Sequence, residues 1–122
     1  MINPATYSSS RVAHGPLVFI SGQIPVTADG QLAGDDIVSQ TRQVLAHISA
    51  ALTEHGTEWA QVVKMNYYLR DLSDLAALRE VLITMLPDPR PAATLTEVSG
   101  LVDPRFRIEI DAVVTLPPPQ GQ

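Results

Sequence analysis

With 122 residues, 45% of them apolar and 17% charged, the chain has enough material for one hydrophobic core, too little for two, and none of the bias of a disordered sequence. A net charge of -5, with eight scattered basic residues against thirteen acidic ones, argues against a nucleic-acid binder, because phosphate affinity needs clustered Lys and Arg. The absence of cysteine removes disulfides, thiolate nucleophiles and thiolate metal sites.

Met1-Ile2-Asn3-Pro4 has neither a charged leader nor an apolar run, and no segment reaches membrane-spanning length, so a cytoplasmic protein is expected. Tyr7 to Val12 reads as a weak strand, and Gly15 to Gly22, rich in β-formers, as a buried one. With His14-Gly15-Pro16 as the turn, the two form an expected hairpin. After the turn Thr27-Ala28-Asp29-Gly30, Asp35 or Asp36 is placed to cap a helix whose residues Ile37, Thr41, Val44, Leu45, Ile48 and Leu52 recur at helical spacing, with Gly56 as its stop.

Val62 to Leu69 alternates as a strand, with Val63, Met65, Tyr67 and Leu69 on one side. A second helix follows Asp71-Leu72-Ser73, carries the stripe Leu75, Leu78, Leu82 and Leu86, and is broken by Pro87 and Pro89. Ala93 to Val98 and Phe106 to Val114 are the last strands and an expected closing hairpin. Residues 1–116 thus form a single α+β domain of order β-β-α-β-α-β-β, with a Pro-rich tail from 117 to 122 expected to be disordered. Right-handed crossovers place both helices on one face of a mixed sheet. The other face then carries apolar residues with no cover, and association of identical copies is the expected remedy.

His14, His47 and His55 do not fall at metal-ligand spacing, and the chain has no phosphate loop, nucleophile elbow or dinucleotide fingerprint. Two local features remain. Ser21-Gly22-Gln23-Ile24-Pro25 ends a strand with a glycine and then fixes the chain with proline, which either simply terminates the strand or bends it to present a hydroxyl at a cleft. Glu109 sits between Ile108 and Ile110, a carboxylate that faces water or is held at an interface where burial favours base function.

Leu17 to Pro25, Gly30-x-Leu32, Asp36-Ile37-x-x-Gln40-Thr41, Val62 to Asp71, Arg90-Pro91-Ala92 and Phe106 to Ala112 together resemble the proteins of the RidA type, the YjgF superfamily. The resemblance runs from Tyr7 to Val114. It implies a chorismate-mutase-like fold assembled as a homotrimer, with ligand clefts between subunits. It also implies hydrolysis of reactive imines and enamines to 2-oxo acids and ammonia without metal or other cofactor.

Carried over residue by residue, Glu109 matches the glutamate that orients the attacking water, Ser21 the serine of the Ser-Gly-Gln motif, and Tyr7 an aromatic residue at the cleft mouth. The departure is Ala93, which stands where the family's carboxylate-binding arginine is expected. An alanine offers no charge-assisted hydrogen bond, and losing one partner of a buried charge pair costs about 2–5 kcal/mol. Arg79, at a position where deaminating members often carry an asparagine facing the ligand, or Arg90, three residues upstream of Ala93, is available to replace it. Leu95, where relatives have a small polar residue or cysteine, makes the pocket more apolar. The expected function is therefore an imine or enamine hydrolase of atypical specificity, with a non-catalytic metabolite-binding or partner-regulating trimer as the alternative. An endoribonuclease, a label often attached to this superfamily, fits poorly with the acidic surface.

Overall fold

The computed structural model describes residues 5–118. Its order is β1 (Leu17–Gln23), α1 (Ile37–Glu54), β2 (Val62–Leu69), α2 (Leu75–Met85), β3 (Ala92–Glu97) and β4 (Ile108–Thr115), with short 3-10 turns before β2 and α2. The strands form one mixed sheet in the spatial order β1-β4-β2-β3. β4 runs antiparallel to both neighbours, while β2 and β3 are parallel, as their connection through α2 requires. This is the α+β class expected from the sequence.

Two expectations are corrected. Tyr7 to Val12 is not a strand paired with β1: only Ser8 makes an isolated parallel bridge, and its partner is Ala92 at the start of β3. The run Ser8-Ser9-Ser10 carries hydroxyls that compete for backbone partners, and Ser8 bonds the carbonyls of Pro91 and Arg90 through its amide and its hydroxyl respectively. Nor do β3 and β4 form a closing hairpin, since β4 inserts between β1 and β2. Its residues Ile108, Ile110, Ala112 and Val114 are all buried, which suits a central strand, whereas β3, half of it polar and none of it buried, suits an edge. Of the expected 117–122 tail, Pro117 and Pro118 lie outside the regular elements, and residues 119–122 lie outside the described residues.

The core forms between the helices and one face of the sheet. Val44, Leu45, Ile48 and Leu52 of α1 and Leu78 and Leu82 of α2 pack with Met65, Tyr67 and Leu69 of β2, with Ile20 of β1 and with the buried set of β4. Asp36 caps α1, its carboxylate accepting from the Ser39 amide at 2.9 Å. Gly56, with φ at +69°, closes the turn after the helix in a conformation that costs a glycine little.

Among the described residues, nothing forms a layer over the opposite sheet face. Leu17 and Phe19 of β1 point there, Phe19 with 73% of its surface exposed, beside Val113, Asp111 and Glu109 of β4 and Asn66 and Tyr68 of β2.

Candidate functional site

The alternation of β4 that buries Ile108 and Ile110 turns Glu109 to the uncovered face. Its cross-strand neighbour is Tyr68. Asp111, the next residue of β4 on that face, is fully engaged: one carboxylate oxygen accepts from Asn66 Nδ2 at 2.7 Å and the other from the Tyr68 hydroxyl at 3.0 Å. The hydrogen bond and the charge of Asp111, with a smaller contribution from Glu109, push the Tyr68 phenol above its ordinary range. Glu109 itself has no hydrogen-bond partner among the described residues, so its carboxylate is the one on this face left to act on something else.

A bulge between Ile20 and Gln23 brings β1 over that carboxylate. A Cβ added to Gly22 would overlap the Glu109 carboxylate group, lying 2.8 Å from its Cδ and 3.1 Å from its Cγ. Ser21, on the same bulge, is exposed, and Gln23 Nε2 donates to its carbonyl at 2.9 Å. Ser21, Gly22 and Glu109 therefore form one cluster on the uncovered face.

The other sequence candidates gather elsewhere. A pocket of about 280 Å³ opens at the β3 edge of the sheet, on the helix side, and takes in Tyr7, Arg79, Ala93 and Leu95. Leu75, Leu78 and Leu82 of α2, Tyr67 of β2 and Thr6 complete it. The segment carrying Thr6 and Tyr7 is pinned along this edge by the Ser8 bridge to Ala92. A larger cavity of about 500 Å³, at the far end of the sheet near Arg11, Gln61 and Pro117, contains none of the candidate residues.

Arg90 does not join the pocket. Its guanidinium donates to the carbonyls of Ala5 at 3.2 Å and Ile83 at 3.3 Å and pairs with Asp88 at 3.4 Å, so it ties the amino-terminal segment to the end of α2. Arg79, by contrast, is exposed at the pocket and has no hydrogen-bond or ion-pair partner among the described residues.

Sequence reading missed Tyr67, Leu75, Leu78, Leu82 and Thr6. The leucines and Tyr67 carried a signal, but it was the signal of core: helical and strand periodicity do not distinguish a side chain packed on a neighbour from one facing a void. Tyr67 is buried, its hydroxyl donates only to the thioether of Met65 at 3.5 Å, and desolvation pushes its phenol far upward.

Among the described residues, no group of three or more His, Asp or Glu side chains is arranged to hold a metal ion, and no helix is long and apolar enough to cross a membrane.

Residues 2–116 match the sequence model of the family described as Endoribonuclease L-PSP. The mitochondrial protein mmf1 of Schizosaccharomyces pombe is 37% identical over 109 residues, covering 88% of this chain and 66% of that protein. The 3-aminoacrylate deaminase RutC of Acinetobacter baylyi is 34% identical over 98 residues, covering 80% and 77% of the two chains. Among solved structures, a YjgF-family protein from Neisseria meningitidis superimposes with a TM-score of 0.77 at 30% identity, over 96% of this chain and 92% of the other.

Proposed function

The chain belongs to the Endoribonuclease L-PSP family, the RidA or YjgF superfamily, and on that premise we propose that it is an imine or enamine hydrolase whose site is completed by two copies of the chain in a homotrimer. The observation that carries this reading is the division of the candidate residues. Tyr7, Arg79, Ala93 and Leu95 line a pocket on the helix side, whereas Ser21 and Glu109 stand on the opposite face of the same sheet. A sheet separates the two groups within one chain, so they can meet around a single ligand only if the second group comes from a neighbour. The uncovered face, with Phe19 and Leu17 exposed on it, is a surface that association would bury, at about 25 cal/mol per Å² of apolar area.

In the proposed reaction an enamine first tautomerises to its imine. Water then adds to the imine carbon while Glu109 accepts a proton from it, and Glu109 passes that proton to the nitrogen, which becomes an amine. The hydroxyl proton of the resulting carbinolamine moves to its nitrogen by way of Glu109, ammonia leaves, and a 2-oxo acid remains. One imine and one water give one oxo compound and one ammonia, so the balance requires no oxidant or reductant. Ser21 orients the ligand from the Glu109 side, and Tyr7 closes the mouth of the pocket. The name of the related RutC, a 3-aminoacrylate deaminase, supports chemistry of this class.

The test is ammonia release from imines generated in situ from a panel of amino acids. Glu109→Gln should lower the rate by about 100-fold to 10,000-fold while leaving ligand binding in place. Equal rates for wild type and variant would remove Glu109 from the mechanism.

Ala93 favours a second reading, a trimer that binds a metabolite without turning it over, because the resemblance puts the family's carboxylate-binding arginine at this position. That reading expects thermal stabilisation by a 2-oxo acid together with no ammonia from any imine.

A further inference from the structure

We infer that the α2–β3 pocket is selective for 2-imino and 2-oxo acids with a branched-aliphatic or aromatic side chain, with Arg79 holding the carboxylate at the mouth and the leucines of α2 holding the side chain. The inference deepens the intersubunit-site reading above and rests on it for the reaction, but not for the binding.

Three observations carry it. First, while the polar part of the lining comes from Thr6, Tyr7 and Arg79 near the mouth, aliphatic side chains stand on both sides of the pocket, Leu75, Leu78 and Leu82 from the helix and Leu95 from the strand. The methyl of Ala93 leaves space between them, and the opening of about 280 Å³ exceeds what a three-carbon or four-carbon acid would fill. A small acid in such a space leaves apolar wall against water, while a larger one removes it, at about fourfold in affinity for each methylene buried.

Second, among the described residues the pocket has one cationic lining residue, Arg79, and it is uncommitted. Arg90 is bound to backbone carbonyls and Asp88, Arg105 to Asp103 and Arg107 to Asp74, whereas Arg79 has no partner among the described residues. It stands on α2 between Leu78 and Leu82, so a ligand whose side chain lies on those leucines presents its charged end to the guanidinium. This reverses the polarity expected with an arginine at position 93, where the charge would sit on the strand.

Third, the buried wall holds a hydroxyl with little to do. Tyr67 is 3% exposed and donates only to a thioether, a weak acceptor, so it can turn to the oxo or imino atom of a ligand without breaking a strong bond.

The experiment is calorimetric titration of the full chain with pyruvate, 4-methyl-2-oxopentanoate and phenylpyruvate, and with the uncharged 4-methyl-2-pentanone. The two larger acids should bind about 50-fold or more tightly than pyruvate, in line with three or more additional buried carbons. Arg79→Gln, at an exposed position that folding does not depend on, should weaken 4-methyl-2-oxopentanoate about tenfold or more and leave the ketone unchanged. Ala93→Arg, which refills the pocket and moves the charge to the strand, should narrow or invert the preference toward pyruvate. Pyruvate binding as tightly as the larger acids, an Arg79→Gln variant with undiminished affinity for the acid, or no binding by any of the acids would each overturn the inference. Selective binding without imine turnover would sink the hydrolase reading and leave this one standing. Turnover at equal efficiency on small and large imines, with no preference in binding, would do the reverse.

Discussion

The carboxylate of Glu109 lies over the Cα of Gly22, in the volume that any side chain at position 22 would need. The glycine is not there for a left-handed turn, since its φ is not positive. It is required because the bulge of β1 carries the backbone across the end of a side chain that rises from β4.

Gly22→Ala should therefore separate activity from stability. The Cβ meets the free end of a flexible, half-exposed side chain, which can rotate away at little cost, so the melting temperature should change slightly. The rotation removes Glu109 from its place, and misplacement by about 1 Å is enough to cost roughly 100-fold in rate. Ammonia release and thermal melting of the same preparation check both halves.

The chain readily shows in its sequence what depends on local periodicity. β2 occupies the expected Val62 to Leu69, whose apolar residues alternate with Lys64, Asn66 and Tyr68, and of the two capping candidates Asp35 and Asp36 it is Asp36 that caps α1. Glu109 was legible as a polar residue on the unburied side of its strand. The partner of each strand was not: nothing in Phe106 to Val114 says that it will slip between β1 and β2 rather than fold back on β3, since that choice depends on which strand most needs burial on both edges. The pocket was half legible. Tyr7, Arg79 and the pair Ala93 and Leu95 come from three separate stretches that the resemblance linked, while Leu75, Leu78 and Leu82 show the same stripe whether they meet a core or a cavity.

Gln40 should prove costly to replace. It is fully buried in α1, donates through Nε2 to the carbonyls of Gly34 at 2.9 Å and Arg105 at 3.0 Å, and accepts the Arg107 amide at 2.7 Å. Gln40→Leu strands all three backbone groups and should destabilise the fold by about 3 kcal/mol. Because Arg107 leads directly into Glu109, activity should fall as well at temperatures where the variant remains folded. Chemical denaturation and ammonia release at a low temperature measure the two effects.

Arg90→Ala should loosen the amino-terminal segment rather than empty the pocket of charge. Loss of its bonds to the Ala5 and Ile83 carbonyls should cost about 2 kcal/mol. Hydrogen exchange at Ser8, whose amide donates to the Pro91 carbonyl at 2.9 Å, should quicken, and affinity for 2-oxo acids should decline through the poorer placement of Tyr7. Unchanged exchange at Ser8 would contradict the assigned role.

Acid should weaken the fold over a defined window. The Ser39 amide holds the Asp36 carboxyl below its ordinary 3.8, and the Arg105 side chain, with a further backbone bond, holds Asp103 at about 2. Groups lowered on folding stabilise the native state above their unfolded value and lose that contribution as pH falls through the folded one. Melting temperature should thus hold steady down to about pH 4 and decline toward pH 2. Asp36→Asn, which retains a capping oxygen but no charge, should flatten part of that decline.

The claim that two copies share each site is tested most directly by mixing two inactive variants. Glu109→Gln lacks the carboxylate proposed to orient water but keeps its pocket, and Ala93→Trp fills the pocket but keeps its carboxylate. Unfolded together in equal amounts and refolded, they should recover about a quarter of wild-type activity, because random assembly joins an intact pocket to an intact Glu109 at that fraction of interfaces. A mixture no more active than the sum of its two parents would contradict the account.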